Sequence, residues 1–244
     1  MRIPGALALL ALAACSSSSS TSPPKEEPEQ PRSESAKPAE PNPGAPNPPG
    51  ESTPQPQPAA EAKRPVTGAE AEAIVARLWP DGCFTFRDAA GQVHATDRAR
   101  CEQPRRPYST FKIANALLGV EVGILDGPDA KMTWDKQAIP DQPDLLEVWR
   151  KPHTLRSGMA VSAVPYFRTL ARQLGEERMR AGLAKLDYGN RDMSGGLDRF
   201  WLTGGLRISA ARQLAFVEAL AQGKLDLSPR TQATVRDVLE LART

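Results

Sequence analysis

The pattern of apolar and polar positions divides the chain into three stretches. Residues 5–14 form a short apolar run behind Met1-Arg2, residues 16–65 hold hardly an aliphatic side chain, and from residue 66 onward apolar positions recur with regular periods. In that last stretch Ala71, Ile74, Val75 and Leu78 fall at three- and four-residue spacing, which predicts an amphipathic helix over 66–79 with Thr67 as its cap. A strand over 82–87, a turn at Asp88-Ala89-Ala90-Gly91 and a strand over 93–97 predict a hairpin. A helix over 109–125 follows, apolar almost all round from Phe111 to Leu118 and stopped by Gly127-Pro128. The stretch 132–151 is irregular, with Trp134 and Trp149 as packing anchors and a short helix over 144–150. Helices over 165–175 and 176–186 lead to the turn Asp187-Tyr188-Gly189-Asn190. An irregular segment through Ser194-Gly195-Gly196 returns to apolar residues at Phe200-Trp201-Leu202, and helices over 210–221 and from Ser228 onward complete the pattern.

The first two stretches read differently. A basic start and an apolar run too brief to span a bilayer predict a signal peptide over 1–14. Leu12-Ala13-Ala14-Cys15 resembles a bacterial lipobox, which implies that Cys15 becomes the lipidated first residue of the mature chain; Ser16 behind it, in place of aspartate, favours the outer membrane. Fourteen of the 24 prolines lie between Thr21 and Pro65. A segment so poor in apolar surface cannot offset its ordering entropy, so 15–65 is expected to be a disordered Ser/Pro-rich tether. The single folded domain is then 66–244, on an exported lipoprotein at the periplasmic face of the outer membrane.

Charge and metal-binding residues narrow the function. Lysine and arginine total 31 against 29 aspartates and glutamates, and no basic stripe appears, so the sequence carries no nucleic-acid signature. Only two histidines are present, His94 and His153, and no Cys/His cluster has zinc-ligand spacing, so no metal is expected. Cys83 and Cys101 flank the hairpin in a chain bound for an oxidising compartment, where a disulfide and two free buried thiols are the alternatives.

The chemistry centres on Ser109-Thr110-Phe111-Lys112. Pro107 starts the helix, and residues three apart share a helix face, so the Ser109 hydroxyl and the Lys112 amine can meet. A lysine buried there tends to lose its proton and become a base. The same spacing also arises from a serine cap followed by a lysine that reaches water, and Ser22-Pro23-Pro24-Lys25 matches it inside the tether. Context has to decide. Ser162 stands among apolar residues just before a helix, a second hydroxyl at a turn.

Taken in order, Ser109-Thr110-Phe111-Lys112, Ser162-Ala163-Val164, Tyr188-Gly189-Asn190 and Phe200-Trp201-Leu202 resemble the class D (oxacillinase-type) serine β-lactamases over about residues 75–244. The resemblance implies an α/β (α+β) fold of the serine β-lactamase and penicillin-binding transpeptidase type, a helical lobe beside an antiparallel-sheet lobe. It implies that Ser109 is the acylated nucleophile and that Lys112, carbamylated by carbon dioxide, is the general base. Ser162 would relay a proton to the leaving nitrogen. Phe111, Val164, Trp201 and Leu202 would keep the pocket dry, with the Trp201 N–H bonding the carbamate, while Tyr188 and Asn190 shape the cleft wall. The substrate would be a penicillin-type β-lactam, with no cofactor beyond the carbon dioxide adduct.

Two departures stand out. Tyr108 occupies a position where the family has a small residue. A Lys-Thr/Ser-Gly motif, expected on an inner strand after the last helix, does not occur before Thr244, so the expectation is a chain truncated ahead of it with an incomplete sheet. Three functions follow: a turning-over β-lactamase, a penicillin-binding sensor or transpeptidase-like module that acylates without turnover, or an inactive remnant. Oligomeric state is left open.

Overall fold

In the computed structural model the described residues are 66–143 and 145–240. The signal peptide, Cys15 and the tether expected over 1–65 lie outside them. The chain enters through helix α1, Gly68–Leu78, where Thr67 and Glu70 form a reciprocal capping box. A short hairpin follows, β1 Thr85–Arg87 against β2 Val93–Ala95, antiparallel with Phe86 opposite His94. The strands are shorter than the hydrophobic pattern predicts, three residues each. Helix α2, Arg98–Cys101, capped by Asp97, closes the hairpin, and Cys101 is joined to Cys83 by a disulfide.

Helix α3, Phe111–Glu121, is the axis of the domain. Every residue from Phe111 to Val120 is buried, as its all-round apolar pattern requires. It begins after a 3-10 turn at Tyr108–Thr110. It ends at Glu121, four residues short of the predicted end at 125, because Gly123 takes a left-handed φ of 76° and closes the last turn. Two-residue strands β3, Lys131–Met132, and β4, His153–Thr154, pair antiparallel and lead into α4, Leu155–Ala160. The short helix expected over 144–150 is a 3-10 turn at Glu147–Arg150, with Asp144 outside the described residues.

The longest element, α5, spans Val164–Lys185 and breaks at Gly175, φ 77°, where the pattern predicts a boundary between two helices. Its second half packs so closely on α3 that a Cβ on Gly182 would lie 2.4 Å from Leu118 Cδ2. Helices α6, Ala210–Ala221, and α7, Pro229–Leu239, cover the other flanks, each capped by a serine, Ser209 and Ser228. The hairpin is tied to α6 by Arg87, whose Nη2 donates to Glu218 at 2.8 Å. A single antiparallel bridge between Arg105 and Ile208 joins the segment ahead of α3 to the segment ahead of α6. Among the described residues the sheet structure consists of the two two-stranded ribbons, β1-β2 and β3-β4. No helix among them is long and apolar enough to cross a membrane.

Candidate active site

The turn before α3 has a specific local cause. Pro107, with φ −73° and no N–H, receives hydrogen bonds on its carbonyl from the Thr110 N–H at 3.1 Å and the Thr110 hydroxyl at 2.7 Å. Tyr108 is forced to φ 45°, a left-handed conformation uncommon outside glycine, and its N–H donates to the Trp201 carbonyl at 3.2 Å. The result places Ser109 at the exposed lip of the helix with Lys112 one turn beneath it, 1% exposed. Lys112 Nζ donates to Ser109 Oγ at 3.1 Å.

The third member arrives from a second strained turn. Ser162 sits between α4 and α5 with φ 56°. The turn is over-determined: Ser162 N–H donates to Met159 O at 3.1 Å, Ala163 N–H to Gly158 O at 2.8 Å, and Trp149 Nε1 to Val161 O at 2.9 Å. Strain of this kind costs about 1–3 kcal/mol per residue and persists only where the surroundings enforce it. Here it brings both the carbonyl and the hydroxyl of Ser162 to 2.5 Å from Lys112 Nζ. Ser109, Lys112 and Ser162 therefore form one connected polar cluster.

What surrounds the cluster is apolar. The Phe167 ring centroid lies 5.6 Å from Lys112 Nζ. Phe111 is fully buried and packs on Tyr188, Phe200 and Trp201 at centroid distances of 5.6, 5.1 and 5.0 Å. Val164 and Leu202 are half-buried nearby in sequence. Burial in this setting pushes the Lys112 amine down from its usual 10.5 to about 8. The Trp201 indole Nε1 is buried without a hydrogen-bond acceptor. Such orphaned donors are rare in folded proteins and ask for an explanation.

Tyr188 and Asn190 take other positions. Tyr188 is core: it is buried, its hydroxyl donates to Gln213 Oε1 at 2.7 Å, and burial raises its pKa. Asn190 is exposed and staples a loop, its Oδ1 accepting from the Arg207 N–H at 2.9 Å and its Nδ2 donating to Gly205 O at 3.0 Å. Gly189 between them has φ 57°, and a Cβ there would lie 2.2 Å from Arg207 O. The Tyr-Gly-Asn tripeptide thus fastens the loop that carries Trp201 to the core. Cys83 and Cys101 flank the hairpin, one just ahead of β1 and the other at the end of α2, and take no part in the cluster. Among the described residues no group of histidine, cysteine, aspartate and glutamate converges to hold a metal ion.

Sequence reasoning passed over Phe167 and the Trp149 N–H. Phe167 lies five residues beyond Ser162 on the first turn of α5, and that offset was the available signal. The Trp149 contact joins distant segments and had none. Chemically, the cluster pairs an exposed hydroxyl with a neutralisable amine and a second hydroxyl in a dry pocket, the arrangement of an activated nucleophile.

Comparison with known proteins shows the family to which the chain belongs. Residues 70–244 match the family model of the penicillin binding protein transpeptidase domain. Beta-lactamase OXA-10 of Pseudomonas aeruginosa is 41% identical over 160 residues, covering 65% of this chain and 58% of that protein. The probable beta-lactamase YbxI of Bacillus subtilis is 40% identical over 161 residues, with the same coverage of 65% and 58%. The chain thus spans 58% of the length of these relatives. In structure it resembles FUS-1 (OXA-85), a class D beta-lactamase from Fusobacterium nucleatum subsp. polymorphum, with TM-score 0.65, 33% identity and 71% of each chain covered.

Proposed function

The chain belongs to the penicillin-binding protein transpeptidase-domain family, on its class D β-lactamase branch, and from that premise we propose that it hydrolyses the amide bond of penicillin-type β-lactams through an acyl-enzyme on Ser109. The observation that carries the reading is the buried Lys112 amine within 3.1 Å of Ser109 Oγ and 2.5 Å of Ser162 Oγ.

In acylation the Ser109 hydroxyl gives its proton toward the Lys112 side chain as Oγ attacks the lactam carbonyl. The Ser109 N–H lies in the opening turn before α3, where helical amides lack intrahelical acceptors, and it stabilises the developing oxyanion. Ser162 Oγ hands a proton to the lactam nitrogen as the C–N bond breaks. In deacylation a water molecule, deprotonated at the Lys112 position, attacks the ester carbonyl and Ser109 leaves with a proton. The sequence through Thr244 holds no Lys-Thr-Gly or Lys-Ser-Gly tripeptide, so the second oxyanion donor and the substrate-carboxylate contact are assigned to no residue of it.

The residues present fit a carbamate on Lys112. An amine with its pKa lowered to about 8 has a neutral fraction that can add carbon dioxide, and the orphaned Trp201 Nε1 is a donor awaiting an acceptor. A carbamate there would supply an anionic oxygen as general base in place of the amine nitrogen. Outside the described residues the same reading makes 1–14 a signal peptide and Cys15 the site of lipidation, tethering the domain to the periplasmic face of the outer membrane. Metabolic labelling with a fatty-acid analogue tests this, and a Cys15→Ser protein that stays labelled and membrane-bound would contradict it.

A fluorescent penicillin, added with and without bicarbonate, tests the function. Label that appears and is released, faster with bicarbonate, is the expected result. Label that persists makes the protein an acylating sensor, and no label on Ser109 overturns the reading.

A further inference from the structure

We infer that the buried ion pair between Asp198 and Arg168 is a positioning clamp that sets the Trp201 indole against the Lys112 side chain, an inference that rests on the function proposed above and extends it to residues outside the polar cluster.

Trp201 rides on an irregular turn closed by its own backbone bonds, among them Phe200 N–H to Gly196 O at 2.9 Å and Leu202 N–H to Arg199 O at 2.8 Å. Those bonds make the turn rigid and leave its placement against α5 to side chains. Asp198, three residues ahead of Trp201, is 6% exposed. Arg168 on α5 donates to Asp198 Oδ2 from Nη2 at 2.8 Å and from Nε at 3.2 Å. Arg172 Nη1 lies 3.7 Å from the same oxygen, and Arg199 Nε 3.9 Å from Oδ1. The Arg168 side chain is itself only 17% exposed.

Burying such a pair recovers little net stability, because desolvation of both charges offsets their attraction. What it does supply is geometry. Arg168 directly follows Phe167, whose ring borders the Lys112 amine, and Asp198 is one turn from Trp201, whose buried Nε1 has no acceptor. The ion pair therefore connects the helix whose Phe167 borders the amine to the turn whose Trp201 packs on Phe111, the residue next to Lys112. A hydrogen bond weakens steeply with misalignment, and a site held loosely by its supporting residues loses function. The Tyr108 N–H to the Trp201 carbonyl and the Phe111 ring tie this turn to the start of α3, and the Arg168–Asp198 pair adds its tie to α5, so the setting of the indole against Lys112 depends on this second tie as well as the first.

The test uses indole-nitrogen NMR of the whole chain, in which four tryptophans give four side-chain signals, with that of Trp201 assigned by Trp201→Phe. Arg168→Met and Asp198→Asn should displace the Trp201 signal, leave the other three in place, and raise the half-saturating bicarbonate for the carbamate carbon signal about tenfold. Arg168→Lys should recover part of both effects, and it decides the matter if Asp198→Asn fails to fold. An unmoved Trp201 signal in Arg168→Met would overturn the clamp. Absence of any carbamate signal in the unaltered protein would count against the proposed function instead, since the indole signal judges the clamp independently.

Discussion

Replacing Trp201 by phenylalanine separates the indole N–H from the ring. Phenylalanine retains an aromatic face toward Phe111 and Phe200, whose centroids lie 5.0 and 5.1 Å from that of Trp201, and removes the orphaned donor. An unsatisfied buried donor costs about 1–3 kcal/mol, and a hydrogen bond to a charged acceptor contributes about 1.5–3 kcal/mol. The loss of the smaller figure weakens carbon dioxide capture by roughly tenfold, and the larger by roughly a hundredfold. Stability of the resting protein should fall by less than a Trp truncation normally costs, because the variant also removes an unpaired buried N–H. The assay is the initial rate of penicillin hydrolysis across a bicarbonate titration, alongside a thermal melt. The half-saturating bicarbonate should rise by one to two orders of magnitude while the maximal rate is largely recovered. A half-point equal to that of the unaltered protein would refute the argument that Nε1 awaits a carbamate.

Three further outcomes follow from the structure. The Lys112 amine, lowered by burial to about 8 from 10.5, releases its proton earlier folded than unfolded. The unfolded chain therefore binds more protons at this group between those values, so Lys112 should add roughly 3 kcal/mol of stability as pH rises across that window, and denaturant titrations of Lys112→Met should lose that contribution. His94 behaves with the opposite sign: the hydrogen bonds its ring donates to Asp88 and then to Glu72 raise its pKa above 6.5. The stability it contributes is full below its unfolded pKa and is lost as pH rises through the folded one, a dependence that His94→Gln should abolish in pH-dependent melts. Reducing the Cys83–Cys101 disulfide, which closes a loop of 18 residues in sequence, should cost on the order of 3 kcal/mol of stability by denaturant titration. A protein equally stable reduced and oxidised would contradict this.

The parts of the fold legible in the sequence are those set by local physics. Thr67 caps α1, Gly175 divides α5, and Ser228 starts α7, because caps and left-handed glycines act over one turn. The burial of α3 followed from an apolar surface with no polar stripe. What escaped is set at a distance. Helix α4, six residues long, is stabilised by the Thr154 and Ser157 capping box and by packing rather than by any periodic pattern. The end of α3 was misplaced because Gly127-Pro128 is a stronger local signal than Gly123, although Gly123 is the residue that takes the left-handed turn. In the site, Ser109 and Lys112 were legible from helical spacing, whereas the convergence of Ser162 on the amine depends on a strained turn that no spacing rule encodes. The resemblance implies a cleft-wall place for Tyr188, yet its side chain stands behind Phe111 in the core, with its hydroxyl on Gln213.

Intact-mass spectrometry of the protein mixed with benzylpenicillin, sampled from milliseconds to minutes and followed by peptide mapping, tests the central claim most directly. A single acyl adduct on the peptide bearing Ser109, formed rapidly and then lost as hydrolysed product accumulates, is the predicted result, with Lys112→Ala forming no transient adduct. A protein that shows no mass increase at any time, or carries the adduct on another residue, would contradict the account.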